Sequence, residues 1–252
     1  MKSPNIVKLA EIIKASKNTV FFGGAGVSTE SNIPDFRSEK GLYAAREKYG
    51  ASPEELISRR CYSYSPELFF RYYKENLIYA DAKPNAAHIA LAQLEAMGLL
   101  TVVITQNIDG LHQAAGSKNV LELHGANDRW YCPSCGKKYD LQYALSPANS
   151  DGGAITKCAD CGGTVRPDVV LYGETLDDNV VNAAVDAISA ADCLIIGGTS
   201  LVVYPAAGLV QYFRGDNLVL INKSETPYDG KADLIINDRI GLVLSEVMQC
   251  LK

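Results

Sequence analysis

Four cysteines constrain what this chain can fold into more than any other feature. Cys132, Cys135, Cys158 and Cys161 stand as C-x2-C-x22-C-x2-C, inside a sequence that otherwise alternates apolar runs with helical patterns. Two Cys-x-x-Cys knuckles can bring four thiolates around one Zn2+, and a site closed by four protein ligands is structural. Gly136 and Gly162-Gly163 follow the knuckles, where glycine lets the backbone turn tightly around a metal. A small metal-stapled module is therefore expected within a larger domain, with the chemistry where the two meet.

Length and composition narrow the classes. With 252 residues and 47% hydrophobic content the chain can bury a core for one large domain and a small one. It has no run of about 18 apolar residues, so no membrane span is expected. Residues 1–15 interleave Lys2, Lys8, Glu11 and Lys14 with apolar positions, unlike the apolar centre of a secretory leader. Seven cysteines, four of them at metal spacing, suit a reducing compartment, and a cytoplasmic location is expected. The net charge of −5 argues against a dedicated nucleic-acid binder, which is normally basic. No feature sets an oligomeric state, and a monomer is the expectation.

The local patterns read as an α/β chain. Ser3-Pro4 is expected to open a helix in which Ile6, Leu9, Ala10 and Ile13 share a face. Thr19–Phe22 reads as a strand running into Gly23-Gly24-Ala25-Gly26 and then a helix. Residues 38–80 suggest two or three short helices. Pro84 is expected to open a helix ended by Gly98, with Ala87, Ala90, Leu91 and Leu94 on one face. Leu100–Thr105, Val120–Leu123, Val169–Tyr172, Cys193–Ile196, Leu218–Ile221 and Leu234–Ile236 read as extended; 180–190 and 242–251 read as helices. Apolar strands alternating with helices imply a Rossmann-like parallel sheet covered on both faces. The expected division is a Rossmann-like domain from 1–37, 84–125 and 165–252, a helical insertion at 38–83 and a zinc-binding module at 126–164.

Several strands end in glycine or hydrogen-bonding residues, and open α/β sheets bind ligands beyond those ends. Gly24-Ala25-Gly26-Val27-Ser28-Thr29 suits a pyrophosphate, although Thr29 stands where a dehydrogenase fingerprint has glycine; a plain strand–helix turn is the competing reading. Ile33-Pro34-Asp35-Phe36-Arg37 reads alone as an ordinary turn. Gln106-Asn107-Ile108-Asp109-Gly110-Leu111-His112 packs two amides and a carboxylate against a strand end, which favours ligand contact over a simple loop. His124-Gly125 offers an imidazole suited to proton abstraction near pH 7. His88 lies in a helix without an evident polar cluster and is given no role. Gly198-Thr199-Ser200 and Asn222 are further strand ends of the same kind.

Taken together and in order, these motifs, the two cysteine pairs and Gly173-Glu174 resemble the sirtuins, the Sir2 family of NAD-dependent protein deacylases. The resemblance runs from about residue 5 to residue 250. It implies NAD as co-substrate and a structural zinc on Cys132, Cys135, Cys158 and Cys161, beside a Rossmann-like domain and a small helical subdomain. Ala25, Ser28 and Thr29 would lie against the phosphates and ribose, and Asp35, Phe36 and Arg37 would border the nicotinamide pocket. Gln106, Asn107, Ile108 and Asp109 would hold the nicotinamide ribose and carboxamide, with Asn107 and His124 as the catalytic pair. Thr199, Ser200, Asn222 and Ile240 would contact the adenosine half. His124, also beside the cofactor, would be the general base. An acetyl-lysine peptide would add a strand between Val169, Val170, Leu171 and Gly173 on one side and Val203 on the other. The implied products are nicotinamide, free lysine and an O-acyl-ADP-ribose.

Two departures from the family pattern stand out. Asn32 replaces the usual glycine before Ile33, and Asn tolerates left-handed backbone better than most residues. The Tyr-x-x-Arg of sirtuins that prefer acidic acyl groups is missing from the matching stretch, Phe69-Phe70-Arg71-Tyr72-Tyr73-Lys74, so acetyl is expected over succinyl. The rival readings are a sirtuin-like protein ADP-ribosyltransferase, a zinc-ribbon nucleic-acid module and a hydride-transferring dehydrogenase. The acidic balance opposes the second and the imperfect glycine fingerprint the third.

Overall fold

The computed structural model describes residues 3–34 and 45–251. Six parallel strands form the main sheet: β1 (Thr19–Gly23), β2 (Val102–Thr105), β3 (Val120–Glu122), β7 (Cys193–Gly197), β8 (Asn217–Ile221) and β9 (Leu234–Ile236). Their order is β3-β2-β1-β7-β8-β9. The chain winds outward one way from β1 and the other way from β7. That neighbouring pair is the point where strand order reverses and a crevice opens at the carboxyl ends.

Alternation along each strand explains the layers. Phe21, Val103, Ile195 and Val219 face one side, against α1 (Pro4–Ala15), α3 (Ala86–Ala96) and α5 (Ile240–Leu251). Val20, Phe22, Ile104, Ile196 and Leu220 face the other, against α4 (Asp178–Ala190) and the 3-10 segment Ala206–Tyr212. Full burial of side chains such as Phe21 and Phe22 contributes about 1.5–3 kcal/mol each.

The expected elements are present, with four differences. Ile6, Leu9, Ala10 and Ile13 are the buried face of α1, but the Ser3 side chain makes no cap bond; only its carbonyl accepts, from Ile6 and Val7 N–H. The glycine run after β1 continues as two 3-10 turns, Ala25–Val27 and Thr29–Ser31, not as an α-helix. Helix α3 begins two residues after Pro84, because Asn85 caps it by accepting from Ala87 N–H at 2.9 Å. The extended run at 169 is the tail of β6 (Arg166–Val169); Val170–Tyr172 lie beyond it.

Strands β4 (Gly125–Tyr131), β5 (Lys138–Asp140) and β6 form a three-stranded antiparallel sheet in the order β5-β4-β6, reaching beyond 126–164 at both ends. The helix α2 (Pro66–Asn76) packs Phe69, Phe70 and Tyr73 onto Trp130, Cys132, Cys158, Val165, Val169 and Leu171 in one core. The cysteine module and the helical insertion are thus not independent: one apolar cluster holds both against the cleft.

Candidate active site

Four strand ends converge on one cleft of about 950 Å3. The loop after β1 supplies Ala25, Ser28 and Thr29; the loop after β2 supplies Gln106, Asn107, Ile108 and Asp109. His124, Thr199, Ser200, Asn222 and Ile240 line the same space, as do Val169, Val170, Leu171, Gly173 and Val203. Asp35, Phe36 and Arg37 lie outside the described residues.

The β1 and β7 loops touch backbone to backbone. Gly26 N–H donates to the Gly198 carbonyl at 2.7 Å, and a Cβ on Gly26 would lie 2.8 Å from the Gly198 backbone. No other residue type fits this approach without displacing a strand end. Asn32 closes the second turn at φ 62° and ψ 22°, the left-handed conformation its side chain tolerates. Glu30 reaches across to the start of α5 and accepts from Gly241 N–H at 3.1 Å. The helix end nearest this part of the cleft therefore carries a carboxylate of its own.

A hydrogen-bond network ties the β1 loop to the β2 loop. The Asn107 amide donates to Gly24 O at 3.1 Å and to Ser28 Oγ at 3.0 Å. Ser28 Oγ donates to Asp109 Oδ2 at 2.6 Å, while Asp109 Oδ1 accepts from Leu111 N–H at 2.9 Å. Gln106 Nε2 donates to Thr199 Oγ1 at 3.1 Å, which brings in the β7 loop. These polar groups are oriented by one another before any ligand arrives.

His124 sits in the turn just before β4, with its ring set by the β2 loop. Its Nδ1 lies 2.8 Å from the Gln106 carbonyl, an acceptor, so Nδ1 carries the proton and Nε2 keeps its lone pair. Gly125 must follow it: φ is +77°, and a Cβ there would lie 2.0 Å from Asp168 O across the β4–β6 pairing. The His124 carbonyl accepts from Val170 N–H at 3.0 Å, joining the histidine to the 169–173 run. Burial pushes the imidazole below its ordinary value, and the Gln106 carbonyl offsets part of the shift. The neutral, base-competent form is thereby retained to lower pH. We expect the acid limb of kcat/KM to fall below the ordinary imidazole midpoint of about 6.5 in a pH–rate profile; a midpoint above 7 would contradict this placement.

Several residues at the site carry no sequence signal. Asn127 accepts from the Tyr73 hydroxyl, donates to Leu77 O at 2.7 Å, and clamps Ile108 O with its N–H at 2.8 Å. It thus fastens α2 to the β2 loop, and no periodicity marks it. His88 does have polar company: its Nδ1 accepts from Asn85 N–H at 3.2 Å, and its ring lies 4.8 Å from that of His112. Burial, then the neighbouring His88, lowers His112 to about 3, so His112 is a neutral packing element behind the loop. Leu201 takes φ 54°, a left-handed conformation costing a bulky residue about 1–2 kcal/mol, held by its buried side chain and by Thr199 Oγ1, which accepts its N–H.

The cysteine site is assembled for a metal. All four Sγ atoms lie within 4.8 Å of one another, with Cys132–Cys161 at 3.5 Å and Cys135–Cys158 at 3.6 Å. A tetrahedron with Zn–S bonds of about 2.3 Å has sulfur atoms about 3.8 Å apart, so the donor set fits zinc and leaves no position open for water. Tyr139 OH lies 2.9 Å from Cys158 Sγ and accepts from Ala159 N–H at 3.0 Å, bracing the second knuckle.

A doubly wound sheet with an amide- and glycine-lined crevice at its reversal point, walled by a four-thiolate module, defines a dinucleotide-binding protein with a structural zinc site. The sequence matches the model of the Sir2 family over residues 24–205, and the chain belongs to that family. It is 61% identical to an NAD-dependent protein deacetylase of Clostridium perfringens, over 96% of this chain and 98% of that protein. A solved structure described as Sir2-p53 peptide-NAD+ is 38% identical, with a TM-score of 0.85 and coverage of 99% of this chain and 98% of the other. Another, a Sir2 variant with deacetylated p53 peptide and 3'-O-acetyl ADP ribose, is 40% identical, with a TM-score of 0.86 and coverage of 96% of each chain.

Proposed function

We propose that this protein is an NAD-dependent protein lysine deacetylase, taking acetyl-lysine peptides or proteins and yielding nicotinamide, free lysine and O-acetyl-ADP-ribose. One observation carries the reading: the amides, hydroxyls and imidazole expected from the resemblance, in so far as they are described, line a single cleft next to the edge of an extended segment. NAD is a consumed co-substrate, and the zinc supplies structure to the module.

The roles are those the resemblance implies, and the hydrogen-bond network is compatible with them. Gln106, Asn107, Ile108 and Asp109 hold the nicotinamide ribose and the carboxamide, with Asn107 and Asp109 braced by Ser28. Ala25, Ser28 and Thr29 flank the phosphates and ribose; Thr199, Ser200, Asn222 and Ile240 take the adenosine half. The Nε2 lone pair of His124 takes the ribose hydroxyl proton as that oxygen attacks the former amide carbon. Val169, Val170, Leu171, Gly173 and Val203 receive the peptide by strand addition. Asp35, Phe36 and Arg37 complete the nicotinamide end. The Rossmann-like parts (1–37, 84–125, 165–252) bind the dinucleotide, while the insertion at 38–83 and the module at 126–164 form the opposite wall.

No helix among the described residues is long and apolar enough to cross a membrane, and thiols at metal spacing suit the cytoplasm.

Incubation with NAD and an acetyl-lysine peptide tests the reading: nicotinamide should appear and the acceptor should lose one acetyl group by mass spectrometry. Gain of an ADP-ribose on the acceptor would instead favour the transferase reading. A side-by-side assay should also turn over acetyl-lysine faster than succinyl-lysine. Faster succinyl turnover would refute that preference.

A further inference from the structure

The 166–174 segment is shaped by an ion pair between Glu174, part of the Gly173-Glu174 motif, and Arg166, which no motif marked. Arg166 is buried at the start of β6, with its side chain 8% exposed, and it meets Glu174 in a two-pronged contact: Nη1 to Oε1 at 2.7 Å and Nη2 to Oε2 at 3.0 Å. Both partners also hold main chain of the run between them. Arg166 Nη2 donates to Val169 O at 2.9 Å, and Glu174 Oε2 accepts from Leu171 N–H at 3.0 Å. Glu174 N–H closes the turn onto Leu171 O at 2.9 Å.

Other contacts extend the same frame. Val170 N–H goes to His124 O, Tyr172 N–H to Ile57 O at 3.2 Å, and Arg59 N–H to Tyr172 O at 2.9 Å. The Val170 carbonyl and the Gly173 N–H keep no partner among the described residues. The guanidinium lies 4.9 Å from the Tyr62 ring centroid. Arg166 itself does not line the cleft, whereas Val169–Glu174 do.

We infer that Arg166 and Glu174 are positioning residues for the acyl-peptide: together they hold the 169–173 main chain in the one shape that leaves its free backbone groups to a substrate strand. The inference rests on the deacetylase reading. A buried ion pair is a poor source of net stability, because desolvating both charges offsets most of their attraction. Its retention here therefore points to geometry. The clamp consumes the Val169 carbonyl and the Leu171 N–H, on either side of Val170, whose own N–H goes to the His124 carbonyl.

Two variants test this, Glu174→Gln and the apolar double substitution Arg166→Met with Glu174→Leu. The double variant removes the clamp without stranding a buried charge, so it keeps the fold even where the single one does not. Affinity for a fluorescent acetyl-lysine peptide, read by anisotropy without NAD, should fall about tenfold or more, the scale of one or two lost anchoring hydrogen bonds. In steady state the peptide KM should rise by a similar factor, while kcat and the KM for NAD stay within about twofold. Unchanged peptide affinity in the folded double variant, or a parallel rise in both KM values, overturns the inference. Wild-type protein that binds no acetyl-lysine peptide and releases no nicotinamide overturns the deacetylase reading itself, a result distinct from either.

Discussion

His124→Ala should lose about 10^2- to 10^4-fold in product formation, the range that general-base catalysis supplies, while keeping NAD affinity within a few-fold of wild type. The split follows from where the imidazole sits. Its Nδ1 is committed to the Gln106 carbonyl, and its remaining nitrogen is the group available to remove a proton. The groups expected to grip the dinucleotide are tied to one another independently of it, through Asn107, Ser28, Asp109, Gln106 and Thr199. Quantifying O-acetyl-ADP-ribose alongside calorimetric titration of NAD reads both quantities. Equal turnover in the two proteins would remove His124 from its role.

Stripping the metal should be as damaging, although zinc takes no part in the chemistry. Cys132 and Cys158 belong to the core that also contains Phe69, Phe70, Tyr73, Trp130, Val169 and Leu171. Releasing the four thiolates loosens that core, and with it the Asn127 bridge between α2 and Ile108 and the Val169–Leu171 edge of the cleft. We expect chelation to lower turnover more than about tenfold, because binding energy at a structural zinc site is folding energy. Trp130 is the single tryptophan and is buried, so its fluorescence reports the change directly. The six-stranded sheet should survive, leaving most of the far-ultraviolet circular dichroism. Metal-free protein with undiminished turnover would show that the module does not support the site.

Much of this architecture is legible in the residues. Spacing of three and four marked the buried face of α1, because a helix buries one side on the sheet, and unbroken apolar runs marked β2, β7, β8 and β9, because a strand covered on both faces buries every residue. The candidate cofactor and peptide residues among the described positions line one cleft, while His112 and the four cysteines lie outside its lining. Where local reasoning went astray, a different local bond prevailed. Asn85 capped α3 in place of Pro84, and the glycine loop tightened into 3-10 turns under the close approach of Gly198. Asn127, Glu30 and Arg166 gave no signal, since each acts on partners distant in the chain.

Spacing along the chain singled out the four cysteines and the strand ends, since knuckles, strands and turns are written in short-range patterns, while the resemblance singled out His124. Only the folded molecule decided which nitrogen of His124 is free, that one core joins the zinc module to α2, and that Arg166 and Glu174 hold the main chain of Val169 and Leu171. Those outcomes depend on which distant segments come into register, and no local periodicity encodes that pairing.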